Sequence, residues 1–265
     1  MDMGVRRIIK RWGRPLIKTN IRQGLIQYCK FFRDWRAYKK IEGAEPILPR
    51  NTYPQLFDDV PMSSAGGHYF YQDIWALTKI YSSGTWSHVD VGSNVVFVGF
   101  LTAITNVEFV DIRPLDAPYL KNFKSIPGSI LNMPYETDSL PSISCLHVAE
   151  HIGLGRYGDS LNPLGTKRAA AELSRCLAGG GNLYFSLPVG KPRLCFNAHR
   201  IHSPSQILSY FPELTLVEFS VYDDNNAFIE NTNVELFENA RYACGMFLFT
   251  KTNGHTDNGS VSTML

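Results

Sequence analysis

Residues 87–94 read Ser-His-Val-Asp-Val-Gly-Ser-Asn, a short β-forming run that ends in an acidic residue, a valine and a glycine. A glycine at the end of a strand lets the backbone turn sharply and come close to a ligand. The helix that follows then presents its positive N-terminal end to the same place. Such a turn is weak evidence alone, and the spacing to the next strand strengthens it. The run Val107-Glu108-Phe109-Val110 ends in Asp111, 19 residues after Gly92. That is close to the roughly 20 residues that separate a glycine turn from the carboxylate that accepts ribose hydroxyls. Asp116 competes for this role, but it lies past the strand end and after Pro114.

Outward from these two runs, strands and helices alternate. Strands are expected at 87–91, 107–111, 129–131, 143–147, 182–187, 215–221 and 243–250. Helices are expected at 69–81, 95–104, 166–178 and 203–211. The alternation implies an α/β domain with a mostly parallel sheet covered on both faces. Ligands in such sheets bind at the carboxyl ends of the strands, where strand order reverses. Residues 171–188 hold a helix, the glycines 179–181, an apolar strand and Pro188. Those glycines are expected to form a left-handed helix end and a tight entry to the strand.

The net charge of +2 conceals two unlike regions. Residues 1–50 carry 13 basic and 4 acidic side chains, a balance of +9. The rest has 26 − 13 = 13 basic and 24 − 4 = 20 acidic residues, a balance of −7. The division expected is a basic helical extension and linker over 1–60, an α/β domain over 61–251 and a disordered polar tail over 252–265. Apolar residues at helical spacing before and after Gly13–Pro15 predict two amphipathic helices in the extension. Such an element suits an anionic membrane surface, or it simply packs with its charges solvated. Five scattered cysteines without a Cys-x-x-Cys pair fit a reducing, cytoplasmic setting. An acidic domain body argues against a nucleic-acid partner.

The order Asp-Val-Gly (90–92), Asp111, Leu-His-Val-x-Glu-His (146–151) and Leu-x-Arg-x-Leu-x-x-Gly-Gly (173–181) resembles class I S-adenosylmethionine-dependent methyltransferases. More narrowly, it is similar to the family of domain of unknown function 268. His147–Asp159 (HVAEHIGLGRYGD) and Phe196–Arg200 (FNAHR) are the most specific stretches. The resemblance implies a Rossmann-like three-layer sandwich on a seven-stranded, mostly parallel sheet, with S-adenosylmethionine as cofactor. It also implies that Asp90, Gly92 and Ser93 line the methionine and ribose side and that Asp111 holds the ribose. Ile112 would flank the adenine, with Asn132 and Met133 at its border, and Leu146 and His147 would close the pocket. One departure is clear: the usual Gly-x-Gly-x-Gly loop has Asn94 at its second glycine.

Methyl transfer to a hydroxyl calls for a well-placed general base. His151 and His199 are the candidates, with Glu150 to orient either one. Arg156, Tyr157 and Arg200 could bind a carboxylate, phosphate or sugar. His68 precedes the first strand and is expected to belong to a lid over the cofactor. His147-x-x-Glu150-His151 also matches an inverted zinc-binding spacing, but that pattern needs a helix and here begins at a strand end, so no metal is expected. The activity expected is O-methylation of a sugar, nucleotide-sugar or surface glycan by direct transfer. The alternatives are a non-catalytic scaffold of the same fold and an enzyme using a different nucleotide-like donor.

Overall fold

The structure, a computed structural model, describes residues 11–13, 21–61 and 66–253. Contacts divide the chain into a unit Met1–Ser64 and a unit Ala65–Leu265. In the first unit, residues 11–13 are helical and α1 spans Ile21–Tyr38, with a 3-10 turn at Pro49–Asn51. The break expected between two helices lies outside the described residues, as does nearly all of the expected tail.

The second unit opens with α2 (His68–Ser83), followed by β1 (Ser87–Val91), α3 (Val95–Leu101) and β2 (Asn106–Asp111). Next come β3 (Phe123–Pro127), β4 (Leu140–Leu146), α4 (Gly165–Cys176) and β5 (Leu177–Val189). The ribbon β6 (Arg193–Cys195) and β7 (His199–Ile201) leads to α5 (Pro204–Leu208). The chain ends in β8 (Leu214–Tyr222), β9 (Phe228–Ile229) and β10 (Ala243–Lys251). The main sheet runs β3-β2-β1-β4-β5-β10-β8-β9, with β10 antiparallel to both of its neighbours.

Seven of these strands fit the expected mostly parallel sheet, and the two-residue β9 adds an eighth at the edge. Two buried clusters make the three layers. One packs Ala169, Ala170 and Leu173 of α4 and Ile207 of α5 on the sheet. The other packs Trp75, Ala76 and Ile80 of α2 with Phe97, Val98 and Leu101 of α3 on the opposite face. In α2 the buried positions 72, 75, 76 and 80 follow helical spacing. Trp75 Nε1 donates to Glu218 at 3.0 Å, and Lys79 bonds Glu218 at 2.6 Å, which ties α2 to β8. Among the described residues no helix is long and apolar enough to cross a membrane, and none of the five cysteines forms a disulfide.

Two expectations are corrected. The third strand is 123–127, not 129–131; Ser129 and Asn132 instead pair in a tight turn. Only Phe123 and Ile126 are apolar in that half-exposed edge strand, so its alternation is faint. Further, α4 ends without a left-handed cap, because Leu177 is already extended (φ −68°, ψ 125°). The glycines serve close approach instead: a Cβ on Gly181 would lie 2.9–3.1 Å from three backbone carbonyl oxygens.

A buried polar chain crosses the sheet between β1 and β4. His88 Nδ1 and Nε2 meet the hydroxyls of Ser142 and Ser144, each at 2.8 Å. The Ser144 hydroxyl donates to Asp90, so it must accept from His88 Nε2–H, and Nδ1 accepts from Ser142. Burial pushes the His88 pKa down to about 3. The unfolded chain takes up a proton below about 6.5 that folded His88 refuses, so this contribution to stability is present above that pH and lost on acidification. Burial also pushes Asp90 up to about 6, which acts in the opposite direction between about 6 and 3.8. Comparison with His88→Gln, which retains Asp90, isolates the histidine. Its stability advantage over the variant is expected to shrink by about 1.4 kcal/mol per pH unit between pH 6 and 4. Urea melts across that range measure it, and parallel curves would reject the assignment.

Candidate functional site

Strand order reverses at β1, whose neighbours are β2 and β4. At their carboxyl ends lies an open cleft. Its walls are largely apolar: Val91 from β1, Val110 and Ile112 from the end of β2, Ile130 and Leu131 beyond β3, and Val148 beyond β4.

Gly92 turns the chain out of β1 at φ +68°. A Cβ there would lie 3.2 Å from Val148 Cγ1 and 3.5 Å from Asp111 Oδ2, so only glycine leaves this corner of the cleft open. Asn94 needs no left-handed conformation. At φ −58° it caps α3, its side chain accepting from Val96 N at 2.9 Å. The missing second glycine is thereby a helix cap. Asp111 Oδ1 accepts from Arg113 N at 2.7 Å, which fixes the carboxylate at the cleft with Oδ2 on the Gly92 side.

Of the residues expected around a cofactor, Gly92, Asp111, Ile112 and His147 line this cleft. Asp90, Ser93 and Leu146 stand behind it. Asp90 accepts from Ser93 N at 3.0 Å, and the Ser93 hydroxyl accepts from Leu146 N at 3.1 Å, so the three lock the ends of β1 and β4 together. Asn132 and Met133 do not line it. Asn132 is exposed, and Met133 is buried with its N donating to Glu172 at 2.7 Å. Gly128–Leu131 take their place, because the third strand ends earlier in sequence than expected.

The motif after β4 turns inward. His147 sits at φ +56°, and Glu150 and His151 follow in a 3-10 turn. His147 Nδ1 donates to Glu150 Oε1 at 2.9 Å, and Nε2 meets Cys244 Sγ at 3.3 Å. Burial opposes a proton on His147, but Cys244 and Glu150 outweigh it and raise the pKa. Burial likewise works against ionised Glu150, yet His147 and His151 hold its carboxyl below the usual range. Glu150 is 1% exposed, and its Oε2 has no hydrogen-bond partner. A buried, ionised carboxylate with one idle oxygen is costly unless something else uses it.

His151 lines the cleft beside this carboxylate, with Nε2 3.6 Å from Glu150 Oε1. Its Nδ1 lies 2.6 Å from the Ala198 carbonyl. A carbonyl can only accept, so Nδ1 carries the hydrogen and Nε2 is left as the basic lone pair. Arg156 Nη1 is 3.3 Å from the same Nδ1 but donates to Ala198 O at 3.1 Å, the bond compatible with that tautomer.

The remaining candidates are placed elsewhere. His199 packs edge-on against Tyr242 at 5.5 Å and is absent from the cleft wall, with its pKa lowered by burial. Arg200 donates to Ile152 O at 2.5 Å and Asn162 O at 2.9 Å, so it clamps a loop instead of offering a free guanidinium. Tyr157 does line the cleft, between Arg113 at 4.8 Å and Arg156 at 5.1 Å from its ring centroid. The His68 ring lies tilted against His147 at 5.0 Å and borders a polar pocket with Tyr242 and Cys244. Burial lowers its pKa to about 4.

Sequence reading missed Arg113, Val148, Ile152 and Asp159 in the wall. Arg113 had a readable signal, two residues past the strand-end Asp111. Asp159 had none, since its carboxylate folds back to accept from Gly153 N at 2.6 Å and Tyr157 N at 3.3 Å.

The family model described as "Caenorhabditis protein of unknown function, DUF268" matches residues 129–241. No curated protein matches the chain. Among solved structures, the N-methyltransferase NodS from Bradyrhizobium japonicum with S-adenosyl-L-homocysteine is 15% identical. That match covers 76% of this chain and 92% of that one, with a TM-score of 0.48. The 1,6-didemethyltoxoflavin-N1-methyltransferase from Burkholderia thailandensis is 12% identical over 74% of this chain and 93% of its own, at TM-score 0.48. The [4+2]-cyclase SpnF is 9% identical over 69% and 82%, at 0.49.

Proposed function

We propose that this chain, a methyltransferase-like protein with the class I Rossmann-like fold and a DUF268 segment, is an S-adenosylmethionine-dependent methyltransferase. One observation carries the reading: a single switch-point cleft brings Asp111 and Gly92 together with His151. The residues fit the cofactor. Apolar walls suit an adenine, Asp111 can accept from ribose hydroxyls, and the glycine corner is where a Cβ would intrude. The cofactor, when bound, supplies an electrophilic methyl group on a positively charged sulfur.

The chain's own residues position the acceptor and handle its proton. His151 Nε2 takes the proton of the attacking hydroxyl. Ala198 O keeps the tautomer fixed, and Glu150, 3.6 Å away, stabilises the imidazolium that results. The cleft walls hold the reactants in line. The acceptor in this reading is a hydroxyl of a sugar, nucleotide-sugar or glycan. Its support is the polar lip of Tyr157, Asp159 and Arg113. A cytoplasmic location and a non-nucleic-acid acceptor are part of the same proposal, supported by the free cysteines and the −7 balance beyond residue 50.

Isothermal titration with S-adenosylmethionine and S-adenosylhomocysteine tests it. One saturable site per chain is expected. Asp111→Ala is expected to weaken binding by roughly tenfold to a hundredfold, the loss of one or two hydrogen bonds to a charged acceptor. No binding by folded protein at millimolar ligand would shift the reading to a scaffold or to another donor. Unchanged affinity in the variant would remove Asp111 from the site.

A further inference from the structure

Helix α1 has two apolar faces. One is satisfied within its own unit. Gly24 is buried, and Tyr28, Phe31, Phe32 and Trp35 pack around Trp12, with ring centroids 5.8, 5.6, 5.6 and 6.4 Å from it. The other face presents large apolar side chains to solvent: Ile21 is 65% exposed, Leu25 55% and Ile26 67%. Ile21, Leu25 and Cys29 fall at i, i+4 and i+8, a single line down the helix. Arg22 and Arg33 run along one side of that line, Arg33 also pairing with Asp34 at 3.0 Å, and Arg36 continues the line two turns beyond Cys29. A helix covering a domain in water would put polar residues on its outer face. This one puts leucine and isoleucine there, edged by arginines.

We propose that this face of α1 docks on an anionic lipid surface. The chemistry selects that occupant. Exposed aliphatic side chains gain from insertion into the acyl boundary, while flanking cations meet lipid phosphates and carboxylates. Lys39 and Lys40 follow at the helix end, and the balance of residues 1–50 is +9. A second copy of this helix would bring the same charge against itself. A nucleic acid would satisfy the arginines and leave Ile21, Leu25 and Ile26 in water. The apolar inner face supplies the stiffness that an interfacial helix needs, because it is already anchored by the Trp12 cluster.

Co-sedimentation of the full chain with vesicles tests this. Phosphatidylcholine vesicles are compared with vesicles containing about 30 mol% phosphatidylserine. Binding to the anionic vesicles alone is expected, falling steeply at roughly 0.5 M salt. The exposed double variant Ile21→Ser, Leu25→Ser is expected to bind at least about tenfold more weakly, from the apolar area withdrawn. Arg33→Glu with Arg36→Glu is expected to lose a similar factor. Circular dichroism establishes that each variant is folded. Four outcomes would overturn the proposal: no binding by folded protein, equal binding to neutral vesicles, an unaffected serine variant, or displacement by a single-stranded oligonucleotide without loss of the serine variant's binding.

Discussion

Replacing Glu150 with glutamine is expected to lower turnover by roughly a hundredfold to ten-thousandfold while leaving cofactor affinity near its original value. Glutamine keeps an acceptor for the His147 hydrogen bond at 2.9 Å, so the 3-10 turn can persist. It removes the negative charge that would stabilise a protonated His151, and it puts an amide nitrogen or a neutral oxygen where idle Oε2 now sits. Glu150 is not in the cleft wall, and for that reason titration with S-adenosylhomocysteine should scarcely change. Glu150→Ala is a different experiment. It strands the protonated form of His147 in a site that is 8% exposed, and breaking a buried pair from one side costs about 3–5 kcal/mol. His151→Gln should share the turnover defect of Glu150→Gln without the stability loss of the alanine variant. Full activity in folded Glu150→Gln would dismiss the carboxylate from the proton path.

Gly165→Ala is expected to destabilise the second unit by about 3 kcal/mol, near the upper end for overpacking. A Cβ there would sit 2.0 Å from Ile152 O and 2.5 Å from Ile152 C, both backbone atoms that no rotamer change can move. The damage also reaches the site. Ile152 lines the cleft, and its carbonyl takes the Arg200 clamp at 2.5 Å. Thermal unfolding should shift down by on the order of 10 °C, with weaker cofactor binding at temperatures where the variant is folded. Gly99→Ala is the control. Gly99 lies inside α3 with nothing within 4 Å of an added Cβ, so alanine should raise stability by up to about 1 kcal/mol. A Gly165→Ala melt that matches the wild type would mean the 152–165 contact yields more easily than its backbone-to-backbone geometry implies.

Local patterns made much of the sheet legible. Ser87–Val91 announces itself by β-branched residues and a terminal glycine, and the structure draws β1 over the same five residues. The helix expected at 166–178 appears as Gly165–Cys176, because buried positions 166, 169, 170 and 173 repeat at helical spacing. The third strand was misplaced because a half-exposed edge strand carries little alternation, and Ser-Ile-Leu at 129–131 is the more apolar run. Around the site, residues at strand ends were readable, as Gly92 and Asp111 show. Asn132 and Met133 follow the expected strand at 129–131; the strand in fact ends at Pro127, so Gly128–Leu131 reach the cleft instead.

What the sequence by itself determined is the order of elements and the place where the parallel strands must open, since both follow from periodicity and from glycine and aspartate at strand ends. Which histidine faces the cleft was settled only by tertiary structure. His151 and His199 are equivalent as sequence, but Ala198 O fixes the tautomer of one while the other packs edge-on against Tyr242. Arg200 reads as a ligand-binding cation until the carbonyls of Ile152 and Asn162 take it up. Glu150 reads as a helper until His147 is seen to occupy one oxygen, with Cys244 bonding that histidine from 97 positions away in the chain. These outcomes depend on which distant backbone or side chain arrives at hydrogen-bonding distance, and local sequence pattern carries no record of that.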